Sequence, residues 1–196
     1  MNPEAASTHF RGQKYLPSVV VLAAFAAAAV LLHFEGRLWM CACGKIQLWS
    51  GQVCSANNSQ HLLDPYSFTH LLHGFVFFWL ITWLFSRLSA NWQLALAVAI
   101  EACWEVFENT NFVIDRYRSQ TAALGYNGDT VINSFGDILC CVVGFVVARR
   151  LGLRRSLIVF VVLEVVLIFW IKDSLLLEIL TLIIPIDAVR AWQMCR

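Results

Sequence analysis

The chain has 196 residues, of which 59% are hydrophobic and only 14% charged, and its mean hydropathy is +0.67. A soluble domain of this length carries about 25% charged residues, so a water-exposed globule is excluded as the simplest reading. A net charge of +1 gives no electrostatic footprint for nucleic acid.

In chain order, residues 1–15 form a polar arm and residues 16–34 the first apolar run. Nineteen residues suffice to cross about 30 Å of hydrocarbon as a helix. No small-residue cleavage site closes the run, so it is read as a retained span. Further spans are expected at 68–85, 92–114, 131–148 and 156–171. A sixth at 175–192 is interrupted by Pro185, and its apolar core is short enough for a re-entrant or interfacial helix. The expected fold is all-α: a polytopic transmembrane bundle of about six spans, or five, forming a single domain over 16–196. Outside loops fall at about 35–67 and 115–130. Eight Trp and fourteen Phe suit aromatic belts at the two interfaces.

Orientation follows from Lys and Arg near the span ends. With six spans and a cytoplasmic N-terminus, Arg11, Lys14, Arg87, Arg149, Arg150, Arg154, Arg155, Arg190 and Arg196 lie inside. Arg37, Lys45, Arg116, Arg118 and Lys172 lie outside. With five spans the two sides balance. The polar residues then gather at the outer end.

The third span reads IEACWEVFENTNF. Glu101, Glu105 and Glu108 share one helical face. An acid at mid-membrane costs about 2.5–3.5 kcal/mol on insertion scales, so the stripe must meet a cavity, a cation or polar partners. The bland alternative puts Glu108 at the interface and uses the other two for helix–helix bonds. The second span opens PYSFTHLLHGF, where Ser67 or Thr69 is a candidate cap and His70 and His73 sit one turn apart. A lone His is commonly a satisfied core residue. Two of them beside a ring of acids form a workable metal-ligand set or acid–base pair. His61 and Asp64 are candidates to join from the preceding loop.

The fourth span opens YNGDTVINSFGDIL. Asp129, Asn133 and Asp137 fall on one face, after an Asn-Gly turn that makes Asp129 a candidate N-cap. His70, His73, Glu105 and Asp137 are therefore the candidate catalytic residues, and the same four are candidate ligands of a divalent metal. Glu101, Glu108, Asp129 and Asn133 support them. Arg116 and Arg118, in DRYRSQ, are candidates to hold a phosphate or other anion, the alternative being interfacial anchoring with Tyr117. In the first loop, WMCACGKIQLWSGQVC, outside cysteines are expected to be oxidised. Cysteines at i and i+2 bridge poorly, so Cys54 is expected to pair with Cys41 or Cys43; metal thiolates are the rival reading. Glu164 lies in the middle of the fifth span without an evident partner.

The stretches CACGKIQLW, NSQHLLDPYSFTHLLHGF, EACWEVFENTNFVIDRYR, YNGDTVINSFGDIL and PIDAVRAWQ resemble a family of bacterial inner-membrane proteins of unknown function, over residues 36–193. The resemblance implies an inner-membrane location and no particular activity. A shorter likeness to VanZ-like membrane proteins rests on Glu101, Glu105, Arg116, Asp129 and Asn133, and implies a lipid-linked substrate. The leading functional expectation is a membrane-embedded, metal-dependent hydrolase or transferase acting on a lipid or lipid-linked envelope substrate. Proton or cation transport, and a structural subunit without catalysis, are the alternatives. Membrane lipids are the expected partners.

Overall fold

The computed structural model describes residues 3–120 and 126–194, with side chains from 15–119 and 126–194. It is all-helical among the described residues: α1 (Pro3–Phe34), α2 (Ser67–Leu84), α3 (Ala90–Glu108), α4 (Asn111–Gln120), α5 (Val131–Ile171), α6 (Leu175–Ile183) and α7 (Asp187–Gln193). Among the described residues, two helical segments are long and apolar enough to cross a membrane, Tyr15–Phe34 and Ser67–Leu84.

α5 is two arms joined at Gly152, whose φ of +72° is outside the helical region and open to glycine. Contacts fix the directions of the arms. Ser67 meets Asp137 and Phe78 meets Phe145, so residues 131–151 run parallel to α2. Trp79 meets Ser156 and Phe160, whereas Phe68 meets Trp170, so residues 153–171 run back antiparallel to it. Arg149, Arg150, Arg154 and Arg155 flank this reversal. α3 runs antiparallel to α2, with Leu94 near Phe78 in one apolar cluster and Glu101 at His70. α1 lies along α3, with Ala28 against Val98 and Ala102. Five helical segments thus run between two common ends, and the polar cluster lies at the end holding the start of α2 and the end of α3.

The segment expected as a sixth span is not one helix. α6 stops at Ile183, and Pro185 lies in the extended break before α7. Nine residues of helix span about 14 Å, less than half of the hydrocarbon core. Arg116 seals the break by donating from Nε to Leu182 O (2.9 Å) and from Nη2 to Ile183 O (3.1 Å). Glu164 finds its partner here too: Oε2 accepts from Leu176 N–H in the first turn of α6 (3.3 Å). A carboxylate at a helix N-terminus satisfies one of the orphan donors there. The expected third span also ends early, at Glu108, and the chain restarts as α4.

α2 and α5 meet backbone to backbone. A Cβ built on Gly74 would lie 2.1 Å from Cys141 O, and one on Gly144 1.9 Å from Leu71 O. Gly136 similarly admits Leu62 O, where a Cβ would sit at 1.8 Å. Small residues permitting close approach are the usual means of helix association where no hydrophobic drive acts. The outer faces are apolar, with Trp83 77% and Phe169 84% exposed, while Glu101 and Glu105 are fully enclosed.

In the first loop the bridge forms between Cys41 and Cys43, with Cα atoms 5.1 Å apart, and not to Cys54 as expected. The reason is local: Gly44 (φ +73°) closes a turn in which its N–H bonds Cys41 O at 3.0 Å, folding Cys43 back on Cys41. Cys54 is not among the free thiols, which are Cys103, Cys140 and Cys141.

Candidate functional site

Three elements and two loop ends build the cluster. α2 presents His70 and His73 one turn apart on the side facing α3. α3 answers with Glu101 and Glu105, one helical turn apart on the same face. Glu101 sits between both imidazoles. His70 Nδ1 lies 2.7 Å from Oε1, and His73 Nδ1 lies 3.0 Å from Oε2 and 3.1 Å from Oε1. With Glu101 ionised, both rings donate to it, leaving each Nε2 for another partner. The rings themselves meet edge to face at 5.1 Å, and His73 stacks on Phe77.

Glu105 is close to His70, with Oε1 3.1 Å from Nδ1, yet neither Glu105 oxygen has hydrogen-bond geometry with any partner. The short Glu101 contact takes the Nδ1 proton, so the Glu105 approach is charge proximity only. Buried oxygens left in this way cost about 1–3 kcal/mol or more each unless something else binds them. Glu108 Oε2, Asn133 Oδ1 and Ser134 Oγ are also buried without partners. The donor atoms fall into two triplets that share His70: His70, His73 and Glu101; and His70, Glu105 and Glu108. Within each triplet the atoms lie within 4.8 Å of one another.

The remaining acids line the outer side. Asp137 accepts from Ser67 Oγ at 2.6 Å, and Ser67 Oγ in turn accepts from Asp64 N–H at 3.1 Å. Asp64 receives Ser59 N–H at 2.8 Å and Tyr66 N–H at 2.7 Å, and so shapes the turn into α2. Asp129 is one residue short of the capping position. Thr130 caps α5, its Oγ1 accepting from Asn133 N–H, while Asp129 Oδ2 takes Asn109 Nδ2 at 2.9 Å and Oδ1 takes Tyr126 Oη at 3.0 Å. Burial pushes the Asp64 and Asp129 carboxyls up, opposed at Asp64 by the Ser59 and Tyr66 amides and at Asp129 chiefly by Asn109. Burial and the neighbouring Asp129 charge push the Tyr126 phenol well up, which keeps it a donor.

Of the residues expected from sequence, His70, His73, Glu101 and Glu105 come into direct contact, and Glu108 joins through the second triplet. Asp137, Asn133 and Asp129 form the adjoining rim, Asn133 Nδ2 reaching Asp64 at 3.5 Å. Glu101, expected as a support, is the acid that holds both histidines. Arg116 binds the end of α6, and Arg118 binds Tyr126 O (2.5 Å) and Asn127 Oδ1. Neither is hydrogen-bonded to a cluster acid.

Asn109, Ser67 and Tyr126 are the contributors that sequence reading passed over. Asn109 had a signal, since it continues the Glu101–Glu105 stripe by one more turn and also accepts from Asp129 N–H at 2.6 Å. Ser67 was read only as a cap. Nothing local marked Tyr126.

Fold and site together define a helical-bundle protein with an enclosed histidine–carboxylate centre at one end. Residues 32–195 match the family described as "Protein of unknown function (DUF2585)", and the chain belongs to that family. Its relatives include a UPF0314 protein of Brucella anthropi, 40% identical over 178 residues, covering 91% of this chain and 90% of the relative. UPF0314 protein R03235 of Rhizobium meliloti is 44% identical over 172 residues, covering 88% and 87%. A UPF0314 protein of Novosphingobium aromaticivorans is 45% identical over 180 residues, covering 88% and 91%. The resemblance to a bacterial family of unknown function is thus borne out, and these findings do not extend it to VanZ-like proteins. No solved structure matches.

Proposed function

We propose that this protein is an inner-membrane, metal-dependent hydrolase or transferase acting on a lipid or lipid-linked envelope substrate that approaches from the outer half of the bilayer. In this reading the five helical segments are the spans, the N-terminus is cytoplasmic, and α6 lies at the outer interface.

One observation carries the proposal: the two triplets share His70, and both oxygens of Glu105, a member of the second, are buried and unbonded. Six acids (Asp64, Glu101, Glu105, Glu108, Asp129 and Asp137) surround two histidines, with no Lys or Arg bonded to them among the described residues. A divalent cation meets that excess of oxygen donors, whereas packing alone gains nothing from it. A bound cation would lower the pKa of its water to about 7. His70, His73, Glu101, Glu105 and Glu108 would hold the cation, and Asp137 would accept the proton of a water as its oxygen bonds to the phosphoryl or acyl centre and the leaving alcohol departs with a proton. Arg116 and Arg118 sit on the outer rim, where they anchor α6 and the 126–127 turn over the site.

Cation transport is disfavoured by what lies inward of the cluster. Ile81, Ala97 and Phe145 pack there with Phe78 and Leu94, closing the bundle with apolar side chains. The experiment is metal analysis of the purified protein, alongside Glu105→Gln, Asp137→Asn and His73→Gln scored for insertion, bound metal and envelope lipid profile. The proposal expects folded variants that lose metal and show a common lipid change. Variants that fold, keep the parent's metal content and leave lipids unchanged would overturn it.

A further inference from the structure

The unused chemistry of the molecule lies in the first loop, apart from the helix cluster. Cys41 and Cys43 face His61 there, and one donor atom from each lies within 4.8 Å of the other two. His61 is only 1% exposed, and neither Nδ1 nor Nε2 has a hydrogen-bond partner. Imidazole always has one donor and one acceptor nitrogen when neutral, so an enclosed ring with both unused is an unmet demand. The two sulfurs lie within 4.8 Å of it. The backbone holds the three in place: Leu62 N–H bonds Gln47 O at 3.1 Å and Ser50 N–H bonds Leu63 O at 2.9 Å, pinning the His61 segment beside the cysteine turn. Asn57 Oδ1 lies 3.9 Å from Cys41 Sγ at the edge of the group.

We propose that Cys41, Cys43 and His61 form a binding site for a borderline-soft divalent metal ion, Zn2+ being the fitting case. Two thiolates and one imidazole are a three-ligand zinc set that keeps a fourth position for water or another oxygen donor. Binding requires the dithiol: each S–H loses its proton as the sulfur–metal bond forms, and no electron moves. The Cys41–Cys43 bridge and the metal are therefore alternative states of the same two sulfurs. The bridge accounts for the sulfurs but leaves His61 unbonded; the metal accounts for all three. A bridge between residues two apart also closes a very short loop and so restricts the unfolded chain little. This site is independent of the histidine–carboxylate centre and of the function proposed for it.

The test uses the full chain in detergent, reduced and stripped of metal, titrated with Co2+ and then competed with Zn2+. Thiolate-to-cobalt charge-transfer absorption reports sulfur ligation, and the Cys41→Ser/Cys43→Ser variant separates this site from any ion that takes the Cys141 thiol beside Glu101. The expected result is one saturating equivalent of that absorption, bleached by Zn2+, absent in Cys41→Ser/Cys43→Ser and lost or shifted in His61→Gln. Retention of the full signal in His73→Gln is also expected. Should a variant fail to fold, X-ray absorption of the wild-type zinc form must show two sulfur scatterers and at least one nitrogen. No thiolate absorption in the reduced wild type, or an identical spectrum in His61→Gln, would overturn the site.

Discussion

Replacing Glu101 with Gln puts the central contact of the cluster to the test. The side chain is fully buried and meets His70 at 2.7 Å and His73 at 3.0 Å. If those contacts serve only as a buried ion pair, removing the charge strands two imidazoles and costs about 3–5 kcal/mol, whatever the metal content of the buffer. If they organise a cation site, part of the stability comes from the bound ion. A ligand at one hundred times its Kd adds about 2.7 kcal/mol. For a chain of this size each kcal/mol shifts Tm by roughly 2–4 °C, so chelation should lower Tm by about 5–11 °C. The assay is thermal unfolding of the oxidised protein in detergent, where bridged Cys41 and Cys43 offer no thiolate, with and without chelator. Wild type should show the shift, and Glu101→Gln should unfold at one temperature in both buffers. Equal Tm with and without chelator in wild type would refute the metal reading. An undiminished chelator shift in Glu101→Gln would refute the role of Glu101.

Gly144→Leu should cost several kcal/mol and disrupt the α2–α5 contact, because even a Cβ would come within 1.9 Å of the Leu71 carbonyl; denaturant titration reads it, and a near-neutral result would show that the helices are not so closely seated. Arg116→Ala should loosen α6 by about 1.5–3 kcal/mol through loss of two charged hydrogen bonds, seen as faster amide exchange confined to α6 and α7. Asp173, in the turn after α5, is pushed up to about 7 by burial, with the Glu164 charge adding to the rise and the Ser174 amide opposing it. A carboxyl that binds its proton more tightly when folded stabilises most below its ordinary value near 3.8, and that stability is lost as pH rises through about 7. Asp173→Asn should accordingly narrow the stability difference between pH 5 and pH 8; an unchanged difference would show that Asp173 does not carry it. An impermeant thiol reagent should label the reduced 41–54 loop in intact spheroplasts, and labelling only after permeabilisation would invert the proposed orientation.

How much of this was legible depended on whether the signal was periodic or positional. The stripe Glu101–Glu105–Glu108 and the pair His70–His73 follow helical spacing, so their shared faces could be read directly and their meeting followed from the cost of leaving them in lipid. Which acid would touch which imidazole could not, because that depends on how far α3 slides along α2. The slide put Glu101 between the histidines and left Asp137 with Ser67. The early end of α3 was hidden, whereas Pro185 and the short apolar core before it marked the break after α6. The apolar run resumes at Phe112, Val113 and Ile114, and Ile183, Ile184 and Ile186 stay apolar, while Asn109 turns its side chain to Asp129 and Pro185 has no amide to carry a helix onward. The Cys41–Cys43 bridge was missed because spacing alone says nothing of the turn that Gly44 allows. Arg116 and Arg118 were expected beside the acids; Arg116 bonds the carbonyls freed at the end of α6, and Arg118 bonds Tyr126 O and Asn127 Oδ1 in the turn before α5, partners that residue spacing does not show.

The architecture separates the work of holding helices from the work of the polar centre. Gly74, Gly136 and Gly144 let α2, its preceding loop and α5 meet at backbone contact, and Leu72, Phe75, Leu167 and Ile171 fill the space beside them. That packing needs no charge. A bundle so joined would be expected to shed buried carboxylates, since well-packed apolar residues in place of a buried ion pair are often as stable or more so. The cluster instead keeps Glu105 with both oxygens unbonded and aims the Glu101 contacts at Nδ1 of both rings, which frees the two Nε2 atoms. A carboxylate on one nitrogen of a histidine, with the other nitrogen available, is the usual way a metal-binding imidazole is fixed and made more basic. The unsatisfied oxygens of Glu105 and Glu108 belong to the triplet these acids form with His70, and this coincidence ties the energetics of the bundle to the function proposed for it.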